Sequence, residues 1–499
     1  MTFSPNAPCV IRPDSGSKGA SQPVSLRLIS LSVPTLLYPV LHYSILFAPL
    51  LFAPLLFSPL LLLPAKSLAE DTQQNIEQSG AQTDSWSESA SDEWSDAGWD
   101  DEEQGHTIHG FFEVAYGARI QSNRWVDRDD TLNEARLRID YSNYFGPLYA
   151  SYKGDFLVDD LTWDGPFIDT QTREALLRFS VGKNSDIHLG RQILTWGTGD
   201  LLFLNDLFPK DWVSFFSGRE MEYLKASSDA IKFSHFNKLA NVDLVWSPKF
   251  DSDIYIDGER FSYFSPLADS IVAAPPKLSA NNPDSQLDDG ELALRIHKII
   301  NGYEWALYGY HGYFKSPVGF DPERGVNYFP KLSSFGASVR GTVKSGIGNM
   351  EVAWYQSRDD SNGTDPFIPN SQLRFLTGYE QELISRLTLG LQYYLEWTQD
   401  YDELKDNSLL PGKEPEEYRH LLTTRINYRS LQDKLTLSLF VFYSPTDDDF
   451  FAMPKVIYRL SDSWSSEMGM NIMGGKNDYT LFGQFEENSN LFARVRYSF

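Results

Sequence analysis

The stretch that decides the fold is LTLGLQYYLEWT, residues 387–398. Side chains alternate faces along an extended chain, so Leu387, Leu389, Leu391, Tyr393, Leu395 and Trp397 share one face. Thr388, Gly390, Gln392, Tyr394 and Glu396 share the other. A soluble sandwich would bury the apolar face against a second sheet. A transmembrane barrel shows it to acyl chains and turns the polar face to a wet lumen.

The same alternation recurs through the chain. In TLNEARLRIDYSN (131–143), Leu137, Ile139 and Tyr141 oppose Glu134, Arg136, Arg138 and Asp140. At 435–443, Leu435, Leu437, Leu439, Val441 and Tyr443 alternate with Thr436, Ser438, Phe440 and Phe442. Such runs are long enough to cross a hydrocarbon layer when tilted, and their aromatic ends suit its interfaces. Short links (Phe145-Gly146-Pro147, Lys183-Asn184-Ser185, Asn301-Gly302, Ser461-Asp462-Ser463) alternate with long ones near 120–130, 159–170, 198–226, 249–289, 315–332, 357–370, 399–416 and 474–489. Short turns on one side and long loops on the other are outer-membrane topology. The expected fold is all-β, an antiparallel transmembrane barrel of about 18 strands over 106–499. Sixteen is the alternative, because 223–238 and 449–461 pattern weakly and Pro454 asks for an edge or a bulge.

Composition agrees with this fold. Aromatics make up 14% of 499 residues, dominated by 33 Phe and 26 Tyr. Mean hydropathy is −0.35, unlike a helical membrane protein. The net charge of −25, with no basic stripe, excludes nucleic acid as a partner class. The one cysteine, Cys9, precedes the barrel.

Residues 28–65 are almost wholly apolar, follow basic residues and precede Ser67-Leu68-Ala69, the pattern of a signal peptide over 1–69. A retained helix is the rival, but six prolines from Pro34 to Pro64 make a poor span. Residues 70–105 hold twelve acids and no Lys or Arg around Trp86, Trp94 and Trp99, and are expected to be a disordered acidic periplasmic segment. It would either solvate the precursor or tether a periplasmic protein.

The chain closes with LFARVRYSF (491–499), placing Leu491, Ala493, Val495, Tyr497 and Phe499 on one face. An aromatic last strand ending in Phe resembles the sorting signal of bacterial outer-membrane proteins, which the barrel-assembly machinery reads. Tyr497 and Phe499 would carry it.

GRQILTWGTGDLLFLNDLFPKDW (190–212) resembles a motif of porin-like outer-membrane families, the alginate-export type and related barrels, as does the closing strand. The matched residues are Gly190-Arg191-Gln192, Trp196-Gly197, Asp200 and Asn205-Asp206…Pro209…Asp211. The resemblance implies a pore passing or exporting a hydrophilic or amphiphilic small molecule, in outer-membrane lipid of a Gram-negative-type bacterium, with no cofactor. It fixes no solute.

Physically, the motif sits where a strand opens into a long loop, and such a loop can fold inward. Arg191, Gln192, Trp196 and Asp200 would form a constriction or a purely structural clamp, with an Arg191–Asp200 pair pinning the loop. Strict alternation nevertheless puts Arg191 on the lipid face. Asp206 and Asp211 would offer at most a sparse Ca²⁺ site. Inward basic residues gather at the seam (Arg119, Arg136, Arg138, Arg425, Lys455, Arg459, Arg494, Arg496) and inward acids elsewhere (Glu351, Glu380, Glu382, Glu396). Facing walls of opposite sign would orient dipolar solutes; the alternative is that these charges pair with each other and with water. A second class is an outer-membrane hydrolase, but the histidines after the leader, 106, 109, 188, 235, 297, 311 and 420, lie in no nucleophile or zinc motif, so no enzyme is expected. A third class is a scaffold barrel that sheathes or anchors a partner.

Overall fold

The computed structural model describes residues 107–161, 168–283 and 289–499. The leader (1–69) and the acidic segment (70–105) lie outside the described residues. Eighteen strands form one sheet. The first nine are β1 (Thr107–Arg119), β2 (Asp130–Phe145), β3 (Leu148–Asp159), β4 (Asp169–Ser180), β5 (Ser185–Ile193), β6 (Ser227–His235), β7 (Asn241–Ser247), β8 (Glu291–Ile300) and β9 (Tyr303–Tyr313). The rest are β10 (Lys331–Val343), β11 (Gly346–Ser357), β12 (Gln372–Ile384), β13 (Leu387–Thr398), β14 (Tyr418–Ser430), β15 (Leu435–Ser444), β16 (Asp449–Arg459), β17 (Trp464–Gly475) and β18 (Asn490–Ser498).

Each strand pairs antiparallel with its chain neighbours, and β1 pairs with β18 from Phe111↔Ser498 to Arg119↔Asn490. The sheet is therefore a closed ring without an edge. Eight connections of two to five residues lie at the end bearing both chain termini; of the nine at the other end, eight run from 9 to 43 residues and one, 445–448, has four. At one tight turn Asn301 and Gly302 both take positive φ (54° and 81°), the mirror-image turn that matches strand twist.

The alternation is realised as read. Phe112, Val114 and Tyr116 are 47–57% exposed on the outside, while Glu113 and Ala115 between them are buried. Outward apolar side chains with no protein neighbour need acyl chains as their solvent, so the ring is a transmembrane barrel.

Both weakly patterned segments are strands, β6 and β16, which makes the count eighteen. Pro454 sits at neither an edge nor a bulge. Toward β15 it stays in register (Leu439↔Pro454). Toward β17 the ladder lapses at Met453 and Pro454 between Ala452↔Ile472 and Lys455↔Gly469, with no shift of register.

The lumen departs from the wet interior expected. Residues 194–226 turn inward and carry a short helix, α1 (Trp212–Ser217). Asp211 caps it by accepting from Ser214 N at 2.7 Å, and Gly218 ends it at φ 84°. Leu204, Phe208, Phe215 and Phe216 of this loop pack against inward Phe440, Phe442, Phe451 and Met473 of the wall. The barrel thus encloses a hydrophobic core of its own.

Candidate pore constriction

The inward loop crosses the lumen and is held at four places, each by inward side chains of the wall. Near its start, the Glu351 carboxylate (β11) accepts from the backbone N–H of Thr198 and of Gly199 (2.8 Å) and from Asn205 Nδ2 (2.9 Å). Asn349 Nδ2 donates to Thr198 O at 2.7 Å. Gly336 on β10 lets Asn205 approach: a Cβ there would overlap Asn205 Oδ1 and stand 2.7 Å from Val352 O.

Next, Asp200 forms an ion pair with Arg425 (β14). Gln392 (β13) clasps the same residue's backbone, accepting from Asp200 N (2.8 Å) and donating to Asp200 O (2.9 Å). Burial pushes the Asp200 carboxyl up to about 6, and Glu380 adds to the shift while Arg425 opposes it.

At the end of α1, Phe216 O accepts from Asn471 (2.9 Å) and Asn490 (3.0 Å), and just past it Gly218 O accepts from Arg494. Arg219 pairs with Glu134 (2.7 Å) and Asp159 (3.0 Å).

Finally the loop docks on the seam. Glu220 pairs with Arg496, which also holds Glu113 (2.7 Å). Glu222 meets Arg138 at 2.6 Å, and the Tyr223 hydroxyl meets it at 2.6 Å. The Tyr223 ring lies beneath the Arg136 and Arg173 guanidiniums, 4.0 and 4.5 Å from its centre. Burial works against the Glu222 carboxylate, but Arg138, Arg173 and Arg496 outweigh it and hold it below the usual range.

A second loop lies on the first. Asp253 accepts from Lys210 N (2.7 Å) and Trp212 Nε1 (2.9 Å), and Arg260 reaches Thr131 O (2.6 Å) and Asp159. Turnward of the inward loop, two clefts open. One of about 480 Å³ is lined by Asp200, Arg340, Glu380, Gln392 and Arg425. The other, about 610 Å³, runs under α1 against β14–β18.

Several expected site residues fall elsewhere. Arg191 does not pair with Asp200. It stays on the outer face that alternation gave it, bonded to Asp229 (3.0 Å) and Thr172 O (2.9 Å). Gln192 is buried and donates to Ala230 O (3.0 Å). Trp196 packs edge-on against Phe208, 5.0 Å between ring centres. Glu396 accepts from Tyr394 (2.7 Å) and lies 3.4 Å from Arg374.

Nor do bare basic and acidic walls face each other. Arg136 and Arg138 share Asp155 (2.8 and 2.7 Å), Arg494 lies 3.4 Å from Glu467, and the loop's Glu220 and Glu222 meet the seam. Asp206 is taken by Lys210 (3.0 Å) and Thr195 (2.7 Å), and Asp211 caps α1, so neither carboxylate is spare for calcium. Tyr497 and Phe499 point outward; Phe499 closes the ring through two 3.0 Å backbone bonds with Gly110.

Arg173 escaped the sequence reading for a local reason. Lys153 faces Glu174 and Gly154 faces Thr172, so Arg173 is the extra residue of a bulge. The bulge turns it inward, where it donates to Glu222 O (2.9 Å) and Lys225 O (3.0 Å).

The chain has the architecture of an outer-membrane β-barrel. No family model and no curated protein sequence matches it. Solved structures do. OccAB4 of Acinetobacter baumannii is 10% identical with TM-score 0.48, covering 80% of this chain and 99% of that one. OccK11 of Pseudomonas aeruginosa is 9% identical with TM-score 0.46, covering 79% and 95%. A mutant porin of Rh. blastica is 14% identical with TM-score 0.38, covering 79% and 100%. The alginate-export resemblance rests on 190–212 and the closing strand alone.

Proposed function

We propose that this barrel is an outer-membrane channel for a hydrophilic or amphiphilic small molecule, closed at rest by the loop 194–226 and opened when that loop shifts. The short turns and termini face the periplasm, the long loops the exterior. The observation that supports this most is how the loop is held. Its tip leaves the wall without strand pairing and docks through a few side chains, chiefly Glu351, Gln392 and Arg425. A tip held by so few polar groups can act as a two-state element while the rest of the loop stays anchored. We read the chain as non-enzymatic. Single-channel recording in planar bilayers, with a panel of solutes as blockers, tests the reading. Discrete openings that the solutes interrupt support it, and a silent barrel even after the tip is unlatched refutes it.

The filled lumen favours a second reading, a scaffold barrel that anchors a partner through residues 70–105. A stoichiometric periplasmic protein lost on deleting 70–105, together with absent conductance, would select that reading.

A further inference from the structure

Three inward positions stand in one row across β12, β13 and β14. The register sets Glu380 opposite Gly390, and Gly390 opposite Arg425. The outer two backbones are therefore two strand spacings apart, about 9.6 Å. A glutamate and an arginine can meet across that span when nothing stands between them. Gly390 keeps the way clear. A Cβ on it would lie 3.4 Å from Glu380 Oε2 and 3.6 Å from Arg425 Cβ, so the Glu380 carboxylate already leans over the gap. The Gly390 backbone takes no positive φ, so it is the missing side chain that the row uses.

Of the two carboxylates near Arg425, one is engaged. Asp200 holds the ion pair. Glu380 has no hydrogen-bond or ion-pair partner among the described residues. It lines the same cleft as Asp200 and Arg425, which gives the guanidinium room to turn. Arg340 lines that cleft too, but from the other side and one step out of the row: it faces Asn349, whereas Glu380 faces Ile347.

We propose that Glu380 is the open-state partner of Arg425: as the loop tip leaves, the guanidinium turns over Gly390 from Asp200 to Glu380. The swap keeps the arginine, whose side chain is 10% exposed, paired in both positions of the loop. Two carboxylates competing for one arginine give the latch two defined positions. The proposal rests on the channel reading for conductance, not for the movement of the loop.

The test measures hydrogen exchange at 197–206 in the purified barrel in neutral phosphatidylcholine nanodiscs. Glu380→Gln removes the second acceptor and should slow exchange about tenfold. Gly390→Val keeps both charges and sets methyl groups between them, so it should slow exchange to a similar degree. Gly390→Ala, whose Cβ meets its neighbours at ordinary contact distances, should stay near the wild-type rate. Glu380 and Asp200 are like charges in one cleft, and relief of their repulsion would also slow exchange in Glu380→Gln. Arg425→Gln separates the two causes. On that background Glu380→Gln should change nothing if the arginine carries the effect, and should still slow exchange if repulsion does. An effect that persists there overturns the proposal, as does a wild-type rate in a folded Gly390→Val barrel. Glutamine matches glutamate in shape, so the Glu380 and Arg425 arm decides the matter even if Gly390→Val does not assemble. Open probability is recorded separately: a barrel whose exchange responds as expected but never conducts refutes the channel and spares the swap.

Discussion

Glu351→Gln is the sharpest perturbation of the closed state. The residue is 2% exposed and its carboxylate takes three N–H donors from the loop tip. A hydrogen bond to a charged group contributes about 1.5–3 kcal/mol, a neutral one about 0.5–1.5. Glutamine keeps the shape but loses the charge at all three contacts and turns an NH₂ toward one of the donors. The expected loss is about 3 kcal/mol in favour of the undocked loop. At 1.36 kcal/mol per decade this is roughly a hundredfold shift. A tip that is undocked about 0.1% of the time would then be undocked about a tenth of the time. Single-channel recording should show open probability rising by that factor, and hydrogen exchange at 197–206 should accelerate in parallel. If both stay at the wild-type level, Glu351 is not the latch and the account of the closed state fails.

Other outcomes follow from the same geometry. Docking raises the Asp200 carboxyl from its ordinary value near 3.8 to about 6, so the docked loop holds the proton more tightly than the free one. That contribution is fully present below about 3.8 and is lost as pH rises through about 6, so acid should close the channel. Asp200→Asn should flatten open probability between pH 4.5 and 7.5; a slope that survives the change assigns the effect to another group. Gly336→Val should push Asn205 off the wall and speed exchange at 203–206 several-fold, without lowering the amount of folded barrel on heat-modifiability gels. Phe499→Ala keeps both backbone bonds to Gly110 and removes only the ring, so a severalfold fall in barrel reaching the outer membrane would mark a sorting role. Undiminished assembly would leave Phe499 as ring closure alone.

Strand number, register faces and the turn asymmetry were legible because lipid enforces a strict period of two. Wherever the outer face must be apolar, the pattern in residues such as Leu387–Trp397 has no freedom to drift. The lumen imposes no such rule. Phe440 and Phe442 occupy inward positions in plain view, and two aromatics facing a supposed water channel are the trace of a plug. What they pack against, Phe215 and Phe216, lies more than 220 residues away and follows no period. The Arg191–Asp200 pair failed because alternation outranked sequence proximity: Arg191 kept its outer face, and Asp200 found Arg425 across the barrel. Arg173 stayed hidden because one bulged residue breaks the parity on which such reading depends.

The carboxylates of Glu220 and Glu222 tie Arg496 on the last strand to Arg138 on the second, spanning the joint where the two chain ends meet. The Glu220 tie cannot form until the final strand has found the first, the most distant pairing in the polypeptide, and it completes a docking that Glu222 and Arg138 can only begin. Docking is therefore a late event in biogenesis, and a half-zipped intermediate would leave residues 194–226 open to protease. Resistance to cleavage there becomes a clock for the moment of closure.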